Sequence, residues 1–232
     1  MRAVLLTGCY GIGDQIQRRQ ARGMSLLGKG AMTMWHGVKP GMGADHDDWH
    51  SHEHIRERIE IPGFRRGRRC RSVDDGGGWF ILYEVDDLSV LSSSDYLERL
   101  NNPSAWSQKI IPAITDMNRT LSTVESSHGV GVGGFLSTAR FAGGFAEDLS
   151  ELVKSAGITG AHLLRGDETV SRINTKEKSL RDRPDEVASG IIIIEGYDAD
   201  SVGKTCAEVA GRDALVNHFQ LNHLIAEADL VS

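Results

Sequence analysis

The sequence contains three cysteines in 232 residues, Cys9, Cys70 and Cys206, odd in number and scattered. They make neither a disulfide framework nor a CxxC metal pair, so a reduced, cytoplasmic protein is expected. Long hydrophobic runs are absent. The longest unbroken aliphatic stretch, Ile191 to Ile194, suits a buried strand and falls far short of the ~20 residues of a membrane span. Excess positive charge is missing too: a net charge of -6 and a pI near 5.8 argue against a nucleic-acid partner. The glycine clusters GCYGIG and GVGVGG lack the lysine of a P-loop, and a strand rather than a helix follows the second. What remains is 40% hydrophobic and 25% charged, the balance of a soluble globular chain with room for one large or two small domains.

Residues 1–23 stand apart. Their apolar stretch is too short for a secretory signal, and the polar GDQIQRRQARG that follows lacks apolar periodicity. We expect an N-terminal appendage there; the alternative is an extra strand.

From residue 24 onward the same order of elements reads twice. GAMTMWHGV alternates as a strand, Asp45 to Ile59 reads as a helix closed by Pro62-Gly63, and FRRGRRCRSV and WFILYEV read as strands about a glycine-rich turn. Ser89 to Leu100 reads as a helix. A further helix, broken near Pro112, runs towards Met117, and TLSTV makes a fourth strand. After the joint His128 to Gly134 come strand FLSTARF, helix FAEDLSELVKSA and strand ITGAHLL. A charged stretch from Arg165 to Glu186 reads as a mobile loop. Strand GIIIIEG, helix SVGKTCAEVA and strand ALVNHFQLNHLI complete the chain. Each half, 24–128 and 134–232, is thus β-α-β-β-α-β, the ferredoxin-like order. LYEVDDLSV and IIEGYDADSV match between halves. The fold class expected is α+β: two tandem ferredoxin-like repeats whose bare sheet faces cover one another around a chamber. The alternative is two such domains that each seek a partner in another chain.

WHSHEHIRERIEIPGFRRGRR, followed by WFILYEVDD and YLERLNNPSAW, resembles the EthD-like branch of the dimeric α/β-barrel proteins over about residues 30–125. Arg56 stands where many of those relatives place proline. The resemblance implies a small, mostly apolar pocket, catabolism of small organic compounds or cofactor-free chemistry, and Glu53-His54 at the pocket mouth.

Five of the nine histidines lie between His36 and His54. On a regular helix at ~100° per residue, Trp49, Ile55 and Ile59 share one side, with His52 and Arg56 between them. His50 and His54 then face solvent, at odds with the resemblance. His50 to His54 also satisfies H-x-x-E-H, although the surrounding elements match no peptidase scaffold. On β alternation, Met32, Met34 and His36 share a face, as do Trp79, Ile81, Tyr83 and Val85. Glu84, on the opposite face with Phe80 and Leu82, reads as a structural partner for an arginine of the Arg65–Arg71 strand. In the last strand Leu215, Phe219, Leu221 and Ile225 should pack under helices, leaving His218, Gln220 and Asn222 to line the chamber, against the alternative of an exposed face.

The expected function is a catabolic enzyme, hydrolase, lyase or isomerase in type, acting on an aromatic or hydrophobic compound. His54 leads the acid–base candidates, followed by His36, His50 and His218, with Tyr83 as an orienting donor. Trp49, Met34, Gln220 and Asn222 are candidate ligand contacts. No cofactor is expected, although a divalent metal at His36, His50 and His54 is compatible with imidazole chemistry. The partners expected are a small-molecule substrate and a second copy of the chain in a homodimer, with neither nucleic acid nor membrane. The competing reading is a non-catalytic ligand-binding protein.

Overall fold

A computed structural model describes residues 25–74, 77–143 and 148–230; the expected appendage, 1–23, lies outside them. Eight strands form one closed antiparallel barrel: β1 (Gly30–Val38), β2 (Phe64–Ser72), β3 (Trp79–Val85), β4 (Ile114–Gly129), β5 (Phe135–Phe141), β6 (Ile158–Gly166), β7 (Gly190–Gly196) and β8 (Leu215–Ala226). The order around it is β1-β3-β2-β8-β5-β7-β6-β4. Cut between the halves, this reads β4-β1-β3-β2 and β8-β5-β7-β6. It is one ferredoxin-like arrangement written twice, sealed where β2 pairs with β8 and β4 with β6. The expected fold class is met. Among the described residues no helix is long and apolar enough to cross a membrane.

The interior of the barrel is not the expected chamber. Trp35, Phe80, Leu82, Leu136, Leu164, Ile191, Ile193 and Phe219 fill it as one buried cluster. Trp35 Nε1 crosses the barrel to donate to Thr138 Oγ1 at 2.9 Å. Beside this cluster lies a buried ionic layer. Arg68, fully buried, gives Nη1 to Glu195 Oε2 at 2.7 Å and sits 3.0 Å from Glu84 Oε1, while Arg66 forks the Glu84 carboxylate. Burial pushes the Glu195 carboxyl up, but the Arg68 guanidinium and His162 outweigh it and hold the group well below its ordinary range. Glu84 is therefore the arginine partner expected. The strand arginines find their carboxylates on β3, β7, Asp86, Glu227 and Asp47 of the neighbouring helical span, whereas Glu53, Glu57 and Glu60 of that span pair elsewhere. Burial also pushes the Cys70 and Cys206 thiols up to about 12, which leaves both unreactive.

In β8 the two faces are assigned the other way round from the expectation up to Leu221; a bulge between Leu221 and His223 then swaps them, and Ile225 packs under the helices as expected. Phe219 enters the barrel, and His218, Gln220 and Asn222 face outward. Strand parity neither foresees the bulge nor says which set meets the interior, because both sides of this sheet are covered somewhere along their length.

Two further segments differ from the sequence reading. Helix α4 (Ala105–Ile110) ends in a 3-10 turn, Ile111–Ala113, and β4 begins at Ile114. Pro112 lacks the amide hydrogen to continue a helix. The charged stretch 165–186 is built rather than loose. It carries α5 (Glu168–Ser171) and α6 (Lys176–Ser179), Glu186 bridges to Asn118 of β4, and Lys176 N donates to Asn101 Oδ1. Its charges have found fixed partners, which periodicity does not register. In the second half, the residues expected as a first helix contain a 3-10 helix at Leu149–Lys154.

Candidate functional site

The site lies on the outside of the sheet, beneath the helices of the first half. The helical span there is α1 (Gly43–Trp49), a π-helical turn (His50–His54) and α2 (Ile55–Ile59). A π turn inserts one residue, which rotates everything after it by about 100° relative to an unbroken α-helix. His46, Trp49 and His50 before the insertion and His54, Ile55, Arg58 and Ile59 after it therefore all face the sheet and are buried. His52 and Arg56 are exposed. The regular-helix reading that put His50 and His54 in solvent fails for this reason. The helix approaches closely because β2 presents Gly67. A Cβ there would meet Ile55 Cγ1 at 2.8 Å and Tyr83 Cε1 at 2.9 Å. Gly63, at φ +90°, makes the turn into β2.

Between this span, the outer faces of β1, β3 and β4, and helix α3 (Ser94–Asn101) lies a cavity of about 40 Å³. Met32, Met34 and His36 come from β1, Ile81 from β3, and Met117 and Arg119 from β4. Trp49, His50, His54 and Arg58 come from the helical span, Tyr96 and Leu100 from α3, and Glu177 and Arg181 from the charged stretch. Such a volume holds only a few water molecules. A larger ligand must displace side chains, and methionines adapt most readily.

The imidazoles form a connected row. His36 lies 5.0 Å from His46, His46 5.9 Å from His50, and His50 5.7 Å from His54, between ring centroids. His54 packs on Trp49 at 4.1 Å, and His36 stacks on Trp79 at 5.7 Å. Burial, reinforced by the neighbouring His46, pushes His36 down to about 3. His50 and His54 also lie well below the ordinary imidazole range, by burial first and then by His46 for the one and Arg58 for the other. All three are neutral near pH 7. His36 Nδ1 must be the protonated nitrogen, since its partner at 3.2 Å is the Gly37 carbonyl. The Nδ1 atoms of His50 and His54 are buried without a partner among the described residues. Tyr83, fully buried, places its hydroxyl 3.4 Å from His50 Nε2, and burial raises its pKa so that it stays protonated.

Of the candidates named from sequence, His54, His36, His50, Trp49 and Met34 line this cavity, and Tyr83 stands behind His50. The β8 candidates do not join them. His218 accepts from or donates to Ser137 Oγ at 2.7 Å in a separate cleft against α7 (Ala199–Ala210). Gln220 is exposed, and Asn222 accepts from Arg69 Nε at 2.7 Å. Glu53 accepts from Ser104 Oγ at 2.5 Å instead of joining His50 and His54, so the H-x-x-E-H geometry is not formed. Among the described residues no three His, Cys, Asp or Glu side chains converge as a metal-ligand set, including His36, His50 and His54.

Sequence reasoning missed Arg58, Tyr96, Arg119, Glu177 and Arg181. Arg58 turns inward only because of the π turn, and Glu177 and Arg181 arrive from the stretch read as a loop. Tyr96 was legible, since it shares a helical face with Leu100.

No family model matches the chain, and neither does any curated protein. Solved structures do. A candidate monooxygenase of Fusobacterium nucleatum subsp. nucleatum aligns with a TM-score of 0.51 and 11% identity, covering 87% of this chain and 96% of that one. An anthrone oxidase-like protein aligns with a TM-score of 0.51 and 11% identity, covering 85% and 92%. These likenesses concern the fold, and they place the chain in the dimeric α/β-barrel architecture. The narrower EthD-like resemblance is matched by no family model.

Proposed function

We propose that the cavity is the active site of a small-molecule enzyme acting on an aromatic or otherwise hydrophobic compound, with a buried histidine taking a proton from the substrate. One observation carries this reading: three neutral imidazoles, His36, His50 and His54, border a single cavity that they share with methionine, isoleucine and tryptophan side chains on one hand and arginines on the other. A neutral imidazole can accept a proton, and the imidazolium it becomes is then offset by the anion it has just created. His54 is the base: its Nδ1, like that of His50, has no partner among the described residues, and its ring is held against Trp49 while His50 is tied to Tyr83. Tyr83 holds His50 in place from behind.

The anion reacts onward with dioxygen. At an activated ring CH2, one oxygen atom of O2 becomes the new carbonyl oxygen, and the other leaves as water with the two hydrogens. The names carried by the two fold neighbours, monooxygenase and anthrone oxidase-like, favour this continuation over the hydrolase and lyase types that the sequence also admits. A second reading, isomerisation, draws support from the spacing of His50 and His54, 5.7 Å apart, since one ring could return the proton that the other removes. The homodimer and the cytoplasmic location belong to this proposal as expectations.

The test uses an anthrone-type hydroxyaromatic ketone in deuterated buffer, following exchange at the acidic carbon by NMR alongside oxygen uptake. Exchange with oxygen uptake supports the oxygenase, and exchange alone supports the isomerase. Binding with neither makes the chain a ligand-binding protein. His54→Gln should lower the rate by about 10²–10⁴-fold while ligand affinity stays nearly unchanged.

A further inference from the structure

Three guanidinium groups border the cavity, and the carboxylates do not balance them. Arg181 is accounted for, since Asp185 takes it bidentately at 2.8 and 2.7 Å. Arg58, 1% exposed, gives Nη2 to Glu177 Oε1 at 2.5 Å. Its Nη1 is buried without a hydrogen-bond partner among the described residues, and the nearest carboxylate oxygen, on Glu57, is 3.9 Å away. Arg119, 7% exposed, donates Nη2 to the Tyr96 phenol at 2.7 Å and has no carboxylate partner among the described residues. Tyr96, Arg58 and Arg119 all line this one cavity. The histidines opposite are neutral and contribute no counter-charge.

Burying a cation without an anion is unfavourable. Glu57 is engaged by Arg99 at 3.2 Å, so Arg58 and Arg119 against the Glu177 carboxylate leave one positive charge. We propose that these arginines form a carboxylate subsite, and that the substrate is an aromatic or hydrophobic acid held by Arg119 and the open Nη1 of Arg58. The inference rests on the cavity being the substrate site. A carboxylate is a planar monoanion. It neutralises the one surplus charge, and its two oxygens match guanidinium N–H groups in a fork. A phosphate dianion would overshoot that charge. The acid end is thereby pinned at Arg119, and the remainder of the molecule faces His50 and His54.

Calorimetric titration of the full-length protein with benzoate and with its neutral isostere benzamide tests the subsite. Benzoate should bind about tenfold or more tightly than benzamide, and Arg119→Met should abolish that preference, so that the two compounds bind alike. Should Arg119→Met fail to fold, Arg119→Lys keeps the charge without the fork and should retain only part of the preference. In the wild type the preference should stay flat between about pH 8 and pH 6, because arginine does not titrate there. Equal binding of the two compounds overturns the proposal, as does a preference that survives Arg119→Met. So does affinity that climbs as the pH falls through about 6.5, which would assign the anion to protonated histidines, or inorganic phosphate binding more tightly than benzoate. His54→Gln separates the two claims. A benzoate preference without turnover in any assay sinks the enzymatic reading alone, and turnover without the preference sinks the subsite alone.

Discussion

The two halves of the barrel share one topology and differ in what lies between sheet and helix. Register makes the comparison residue by residue, because Ala31 pairs with Glu84 as Leu136 pairs with Glu195. Met32, Met34 and His36 then correspond to Ser137, Ala139 and Phe141, while Ile81 and Tyr83 correspond to Ile192 and Ile194. In the first half a cavity bordered by imidazoles and guanidiniums occupies this layer. In the second half Ala139, Leu149, Ile158, Ala161, Leu163, Ile192, Ile194, Val202 and Cys206 pack there as a mainly aliphatic cluster, and the cleft beside it holds His218 and Ser137 without a guanidinium or a row of imidazoles. The scaffold therefore does not make the site. A π turn and a handful of polar side chains distinguish the first half from the second.

Acid should break this comparison most sharply. His36 sits at about 3 in the folded chain against about 6.5 unfolded, so below pH 6.5 the unfolded chain binds protons that the folded one refuses. Stability is then full above about pH 6.5 and falls as the pH drops towards about 3. At pH 5 His36 alone removes about 2 kcal/mol, and His46, His50 and His54 act in the same direction. Hydrogen exchange at pH 7 and pH 5 should lose protection first in β1 and the helical span and last in β5 and β7. Equal loss everywhere would mean that the barrel opens as one unit.

Arg68 joins the halves, so Arg68→Met should spare neither. Leaving Glu195 and Glu84 buried without it is expected to cost about 3–5 kcal/mol, read from urea unfolding with a single transition. A smaller effect separates the equivalent positions Ile194 and Tyr83. Ile194→Ala should cost about 2–4 kcal/mol and leave ligand affinity alone. Tyr83→Phe should cost about 1 kcal/mol yet change turnover, because it removes the partner of His50. A change in affinity for Ile194→Ala would blur the division between a structural and a functional half.

Much of the fold was legible because strands and turns are local. The alternation in GAMTMWHGV places Met32, Met34 and His36 together, and the two halves repeat one element order. The site was legible only in part. His36, His50, His54, Trp49 and Met34 were named from a resemblance and a cluster of imidazoles, while a wheel drawn on an unbroken helix put two of them on the wrong side. Arg119 gave no signal at all, since a lone arginine in TDMNRTLSTV reads as a solvated strand residue. Glu177 and Arg181 sit in a stretch whose charge and lack of periodicity suggested mobility. Their order comes from Arg58 and Asp185, and the contact with Arg58 spans 119 positions of sequence.

Sequence alone determined the eight strands and their order, their division into two similar halves, and which residues share a face within an unbulged stretch of strand. These follow from side-chain periodicity and from the conformational limits of glycine and proline, both of which act over a few residues. Only the tertiary structure decided which face looks inward, that the barrel is filled while the cavity of the imidazoles lies under the helices, and that Arg58 meets Glu177 there while Arg119 has no carboxylate partner among the described residues. Those outcomes depend on groups far apart in the chain competing for the same buried volume and the same counter-charges, and no local pattern encodes the result.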